Sequence, residues 1–135
     1  MADKLHFSLV SPARELFSGE VDHVIAPGTE GEFGVLAHHA PFMTTLRNGV
    51  VRVLDGETVK MRIFVRGGFA DVTPAGLTIL AEEARNLGDV SASEVDAEIE
   101  AVRLSLLALD KDDTRQVALQ EQITYLEGVR SALSS

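Results

Sequence analysis

Val65-Arg66-Gly67-Gly68-Phe69-Ala70-Asp71-Val72-Thr73-Pro74-Ala75-Gly76-Leu77-Thr78-Ile79-Leu80 reads as short strands separated by two tight turns. Gly67-Gly68 and Pro74-Ala75-Gly76 are places where a positive or a fixed φ is easily adopted. Around them apolar residues alternate, Ile63 and Val65 before the first turn and Leu77 and Ile79 after the second. Arg62, Arg66 and Thr78 fall on the opposite side. One face of each hairpin is therefore expected to be buried. The same pattern runs outward from Leu5 to Glu83: Leu5, Phe7 and Leu9 alternate, as do Val51 and Val53. Gly19, Pro27-Gly28, Asn48-Gly49 and Asp55-Gly56 supply further punctuation. Turn signals about ten residues apart point to a sandwich or barrel, and eight to ten short strands are enough to pack two sheets face to face. Because hairpin turns join most neighbours, antiparallel pairing is expected throughout.

After Asn86-Leu87-Gly88-Asp89 glycine nearly vanishes and helix formers take over. Ser91 and Glu94 are spaced as a capping box, and Val95, Ile99, Val102, Leu106 and Leu109 recur at steps of four or three. Asp110-Lys111-Asp112-Asp113 is a polar break holding an N-cap candidate, and Leu119, Ile123, Leu126 and Leu133 mark a second stripe. The fold expected is β plus α: an antiparallel β-sandwich of about ten strands over residues 1–87, then an antiparallel two-helix hairpin over 88–135. Isolated helices of about 15 residues are marginal in water, and Gly128 costs its helix about 1 kcal/mol relative to Ala, so such a hairpin is suited to detach and move.

The totals exclude several functions. With 135 residues and 45% apolar composition the chain can build a core. It has no cysteine, hence no disulfide and no thiolate metal site. Twelve basic against twenty-one acidic residues give a net charge of −9, which repels phosphate backbones and anionic lipid; neither nucleic acid nor direct lipid insertion is expected. The segment 89–135 is the more acidic, with ten acids and four bases. No window approaches the roughly 20 apolar residues that span a bilayer. Met1-Ala2-Asp3-Lys4-Leu5-His6-Phe7 resembles neither a secretory signal nor a transit peptide, so the chain is expected to start where it works.

Motifs for chemistry are scarce. Gly28-Thr29-Glu30-Gly31-Glu32-Phe33-Gly34 reads as a loop bent by glycine between strands; it lacks the Lys-Ser/Thr of a phosphate loop, and Glu30 and Glu32 would repel phosphate. His38-His39 is the one pair of candidate metal ligands, yet neighbours on a strand point to opposite faces and no third ligand is evident. Ser8, Ser11 and Ser18 lack a nucleophile elbow. Glu82-Glu83 and Asp112-Asp113 read as a strand end and a helix cap rather than an acid/base pair. No catalytic residue, cofactor or metal site is assigned, and a protein that works by gripping others is expected.

A long ordered string stands out. Leu9-Val10-Ser11-Pro12, Phe17-Ser18-Gly19, Val24-Ile25-Ala26-Pro27-Gly28, Gly31-Glu32-Phe33-Gly34-Val35-Leu36, His39-Ala40-Pro41 and Asn48-Gly49-Val50-Val51 come first. Val65-Arg66-Gly67-Gly68-Phe69-Ala70-Asp71-Val72 and Leu77-Thr78-Ile79-Leu80-Ala81 follow. Together these resemble the epsilon subunits of bacterial rotary ATP synthases over nearly the whole chain. The resemblance implies a ten-stranded sandwich with a two-helix C-terminal domain, placed in the central stalk. There the sandwich would bind the gamma subunit and rest on the ring of c subunits, coupling proton-driven rotation to ATP synthesis without catalysing it. The location implied is the cytoplasmic face of the bacterial inner membrane, peripheral through the complex. Absence of a presequence favours a bacterial source over the mitochondrial counterpart. Glu30, Gly31, Glu32, Phe33 and Gly34 become candidates for meeting the c ring, and His39 and Pro41 for shaping the adjoining loop.

Two family properties carry over poorly. Some members bind ATP through aliphatic-Asp-x-x-Arg-Ala in the first C-terminal helix. Here the run is Val95-Asp96-Ala97-Glu98-Ile99-Glu100, with Ile99 in place of Arg and Glu100 in place of Ala, so no nucleotide is expected there. Relatives that inhibit ATP hydrolysis extend the hairpin so that basic side chains meet acidic segments of the catalytic alpha and beta subunits. With only Arg103, Lys111, Arg115 and Arg130 against ten acids, the charge balance weighs against strong inhibition. The alternatives are a free-standing sandwich binding a small ligand, or a metal through His38 and His39, and an unrelated adaptor recruiting a partner with its helices.

Overall fold

A computed structural model describes residues 3–135; Met1 and Ala2 of the quoted N-terminal run lie outside the described residues. Ten strands come first: β1 (Leu5–Val10), β2 (Glu15–Val21), β3 (His23–Gly28), β4 (Gly31–Leu36), β5 (Phe42–Thr45), β6 (Gly49–Asp55), β7 (Thr58–Arg66), β8 (Phe69–Thr73), β9 (Gly76–Leu80) and β10 (Glu83–Asn86). A single 3-10 turn, Leu87–Asp89, precedes α1 (Ala92–Leu107) and α2 (Arg115–Leu133). The chain divides into two compact units, one ending at Gly88 and the other spanning Asp89–Ser135.

The first unit is a sandwich of two five-stranded sheets, ordered β2-β1-β9-β8-β5 and β10-β7-β6-β3-β4. Inward residues come from the alternation expected: Phe7, Leu9, Leu77 and Ile79 on one sheet and Val24, Val35, Val51, Ile63 and Val65 on the other, all essentially without solvent exposure. Burying each large aliphatic or aromatic side chain contributes about 1.5–3 kcal/mol, and this shared core holds the sheets together.

Pairing is not antiparallel throughout. β1 and β9 run parallel, with Phe7 opposite Leu77 and Leu9 opposite Ile79. No hairpin joins these two strands, so no turn dictates their direction. The register is the one that brings their inward apolar residues level, since a slip by one residue would turn each strand's apolar set to solvent. Two expected turn markers also lie within strands. Gly19 sits inside β2 opposite Phe7, and Pro27-Gly28 ends β3, with the turn following at Thr29-Glu30.

In the second unit Ser91 caps α1: its Oγ accepts from the Glu94 amide at 3.2 Å and donates to Glu94 Oε1 at 3.0 Å. Thr114 is the N-cap of α2 but makes no side-chain cap. Asp113 supplies the acceptor instead, taking the Arg115 amide at 2.9 Å and its guanidinium at 2.7 Å. Val95 and Ile99 are buried as expected, and Val102, Leu106 and Leu109 are half-buried. On α2 the buried residues are Tyr125, Leu126, Val129 and Ala132. Only Leu126 of these belongs to the expected stripe; Leu119, Ile123 and Leu133 are half-buried. Among the described residues no helix is long and apolar enough to cross a membrane.

Candidate docking surfaces

Strand parity places two large apolar residues on the outer side of the first sheet. Ala70 and Ile79 point inward with 0% exposure, so their neighbours Phe69 and Leu80 point outward, 52% and 53% exposed. Register aligns them: Val10 lies opposite Leu80, Leu80 opposite Phe69, and Phe69 opposite Thr45, forming one row across four strands. Met43, 66% exposed, stands in the next row opposite Asp71. All four residues of the first row line a concavity of about 620 Å³, which the connections at Ser11-Pro12 and Gly67-Gly68 and Leu46 also border. Exposed apolar side chains in register beside a concavity make this face a candidate protein-docking surface. Neither Phe69 nor Leu80 belongs to a binding motif, yet the alternation that puts Ile79 inward also puts Leu80 outward.

The candidates Glu30 to Gly34 do not form a loop. Glu30 is exposed in the turn after β3, whereas Gly31, Glu32, Phe33 and Gly34 are the first four residues of β4, the edge strand of the second sheet. Glu32 is already engaged, because Arg52 Nη2 of β6 donates to its Oε1 at 2.6 Å across β3. Phe33 is half-buried and packs edge-on against Phe42, ring centroids 5.4 Å apart. Gly34 leaves room for the His23 ring, since a Cβ there would lie 2.7 Å from His23 Nε2.

His39 and Pro41 lie at the opposite end of β4, in the connection to β5, so the structure does not gather them with Glu30. His39 Nδ1 bonds the Ala40 carbonyl at 2.7 Å, and its ring lies 6.3 Å from that of Phe42. His38 turns instead to the Asp3 carboxylate. The two histidines thus have different partners, and among the described residues no three His, Cys, Asp or Glu side chains are placed to hold a metal ion.

On the hairpin, Val95 and Ile99 are core residues, 0% and 7% exposed. Asp96 accepts from Arg130 Nε at 2.9 Å, and Arg130 Nη1 also reaches Ser134 Oγ at 3.1 Å. Arg103 and Glu127 form a second pair across the helices at 3.6 Å. Glu100 stands exposed beside them. The electrostatics of the sandwich centre on Asp22, which accepts from Lys4 Nζ and from the Gly56 amide at 2.6 Å. The Lys4 ammonium first, and that amide second, hold its carboxyl down at about 2.

Residues 4–87 match the β-sandwich domain of the ATP synthase delta/epsilon chain. Over its whole length the chain is 76% identical to the ATP synthase epsilon chain of Hyphomonas neptunium, covering all of both proteins. It belongs to the ATP synthase epsilon-chain family. The epsilon chain of Parvibaculum lavamentivorans is 51% identical over 130 residues, 96% of this chain and 98% of that one. A chain in the mitochondrial ATP synthase of Euglena gracilis, from a cryo-EM structure of OSCP/F1/c-ring, superposes with a TM-score of 0.73 at 22% identity, covering 98% of this chain and 83% of that chain. One from the central stalk/c-ring of the Tetrahymena thermophila enzyme gives 0.59 at 14% identity, covering 98% of each. At such low identity these two establish a shared fold. As an epsilon chain the protein is a subunit of ATP synthase, and the readings as a free-standing ligand-binding sandwich or an unrelated adaptor are displaced.

Proposed function

We propose that this epsilon chain is a non-catalytic part of the rotor, docking the gamma subunit on the outer face of its first sheet and meeting the c ring near the β3–β4 turn. Full-length identity to named epsilon chains carries this reading. The row from Val10 through Leu80 to Phe69 supports it, since a torque-bearing part needs a stiff body and a broad apolar contact rather than reactive side chains. Of the carboxylates suggested for the c ring, Glu30 remains the better candidate, because Glu32 is committed to Arg52. The protein is peripheral to the cytoplasmic face of the bacterial inner membrane, held there through the complex.

The hairpin binds no ATP in this proposal: Asp96 is occupied by Arg130, and Ile99 and Glu100 offer a phosphate no cation. Strong inhibition of hydrolysis by insertion between acidic segments is disfavoured by its ten acids against four bases.

Epsilon-depleted membrane vesicles reconstituted with this chain test the assignment. Proton-driven ATP synthesis is expected to return, and to return poorly with Phe69→Glu and Leu80→Glu together, which charge the docking row without touching the core. Failure of the unaltered chain to restore synthesis would refute the stalk role; full activity of the double variant would refute the docking face alone.

A further inference from the structure

From Glu100 to Thr124 the hairpin has no buried residue, although this half carries eight large aliphatic side chains. Leu104, Leu107 and Val117 stand 59%, 81% and 64% exposed. Packing is concentrated in the other half, where Val95, Ile99, Tyr125, Leu126, Val129 and Ala132 are buried and the Asp96–Arg130 pair spans the helices. Helix α1 also has a second apolar side. Opposite the stripe of Val95 and Ile99, exposed Ala97, Ala101 and Leu104 follow at steps of four and three, the spacing by which one helix packs along another. Small side chains at the first two positions allow close approach, and Leu104 with Leu107 supplies the knob.

The charge around this face selects its occupant. Glu94 and Glu100 flank the seam, and Asp110 and Asp112 close its far end. Three of the hairpin's four bases pair with carboxylates, Arg103 with Glu127, Arg115 with Asp113 and Arg130 with Asp96, and Lys111 stands exposed between Asp110 and Asp112, so acids outnumber bases around the seam. A second copy would bring the same acidic rim and be repelled, and anionic lipid is repelled likewise. We propose that the outer half of the hairpin docks an amphipathic helix of another protein whose apolar stripe is flanked by lysine or arginine. This is independent of where the sandwich docks.

The test uses the full chain labelled for amide NMR, titrated with a synthetic helix of about 20 residues bearing a leucine stripe at i, i+3, i+4 and i+7 spacing with lysine flanks, and with a twin bearing glutamate flanks. The lysine peptide is expected to shift amides within residues 97–107 and leave those of β1 to β10 in place, and the glutamate twin to shift none. Replacing Leu104→Gln and Leu107→Gln together should weaken binding about tenfold. Both positions are exposed, so unchanged sandwich and α2 amides certify the fold. Equal binding of the two peptides, shifts confined to the sandwich, no shift at all, or undiminished binding by the double variant would overturn the proposal. So would concentration-dependent dimerisation through the same amides, or their capture by phosphatidylcholine vesicles in place of the peptide.

Discussion

A single carbonyl fixes the turn between β7 and β8. Gly68 has φ +115, and a Cβ on it would lie 2.0 Å from the Leu80 oxygen. Gly68→Ala is therefore expected to cost about 2–4 kcal/mol, combining backbone strain with displacement of a strand end, and urea unfolding measures it. A loss under about 0.5 kcal/mol would mean the turn rebuilds freely. Asp22 makes a different kind of prediction. Its carboxyl titrates at about 2 in the folded chain against an ordinary 3.8, so the unfolded chain binds more protons between those values. The stabilisation is complete above the ordinary value and is lost as pH falls through the folded one. Asp22→Asn should lower stability at neutral pH and flatten the decline between about pH 4 and 2; melting curves that fall in parallel for parent and variant would contradict this. Residue identities in the core were legible because alternation is local. The Lys4–Asp22–Gly56 contact was not, since it joins three segments that nothing in the sequence brings together. Glu32 read as a free carboxylate for the same reason: its partner Arg52 lies twenty positions away and two strands over.

Elements were easier to read than their partners. Most of the hairpin turns, the Ser91–Glu94 cap and the polar break before α2 are short-range signals that mark element boundaries in the structure, Gly19 inside β2 being an exception. The parallel ladder between β1 and β9 has no such signal, because its direction is set by which inward faces must meet in the core. In sequence the β4 strand looks like a loop because its two glycines resemble breakers; at a sheet edge, beside His23, they are tolerated. On α2 the buried face includes Tyr125 and Ala132, an aromatic with a polar tip and a small residue, which a stripe drawn from large aliphatics passes over. The cap gives the prediction at this scale. Ser91→Ala removes the acceptor of the Glu94 amide and should cost α1 about 1 kcal/mol, seen as faster hydrogen exchange in its first turn. Exchange there as slow as in the parent would show that the Ser91 hydroxyl is dispensable.

At the scale of the molecule, the two units differ in how much core they own. The sandwich cluster draws every member from between Leu5 and Ala84, and its largest side chains, Phe7, Leu9, Ile63, Leu77 and Ile79, are at most 1% exposed. Two facing sheets with that many inward residues meet the requirement for independent folding. The hairpin buries six residues, crowded toward one end, and two helices of sixteen and nineteen residues sit near the length at which isolated helices are marginal. Cutting the chain after Gly88 should therefore leave a sandwich that keeps its sheet spectrum and unfolds in one cooperative transition. A peptide of residues 89–135 should be less than about half helical by circular dichroism at 25 °C. A sandwich that owns its core does not need the hairpin in order to fold. If the shortened chain lost its cooperative transition, the sandwich would not be an independent folding unit and the helices would belong to it.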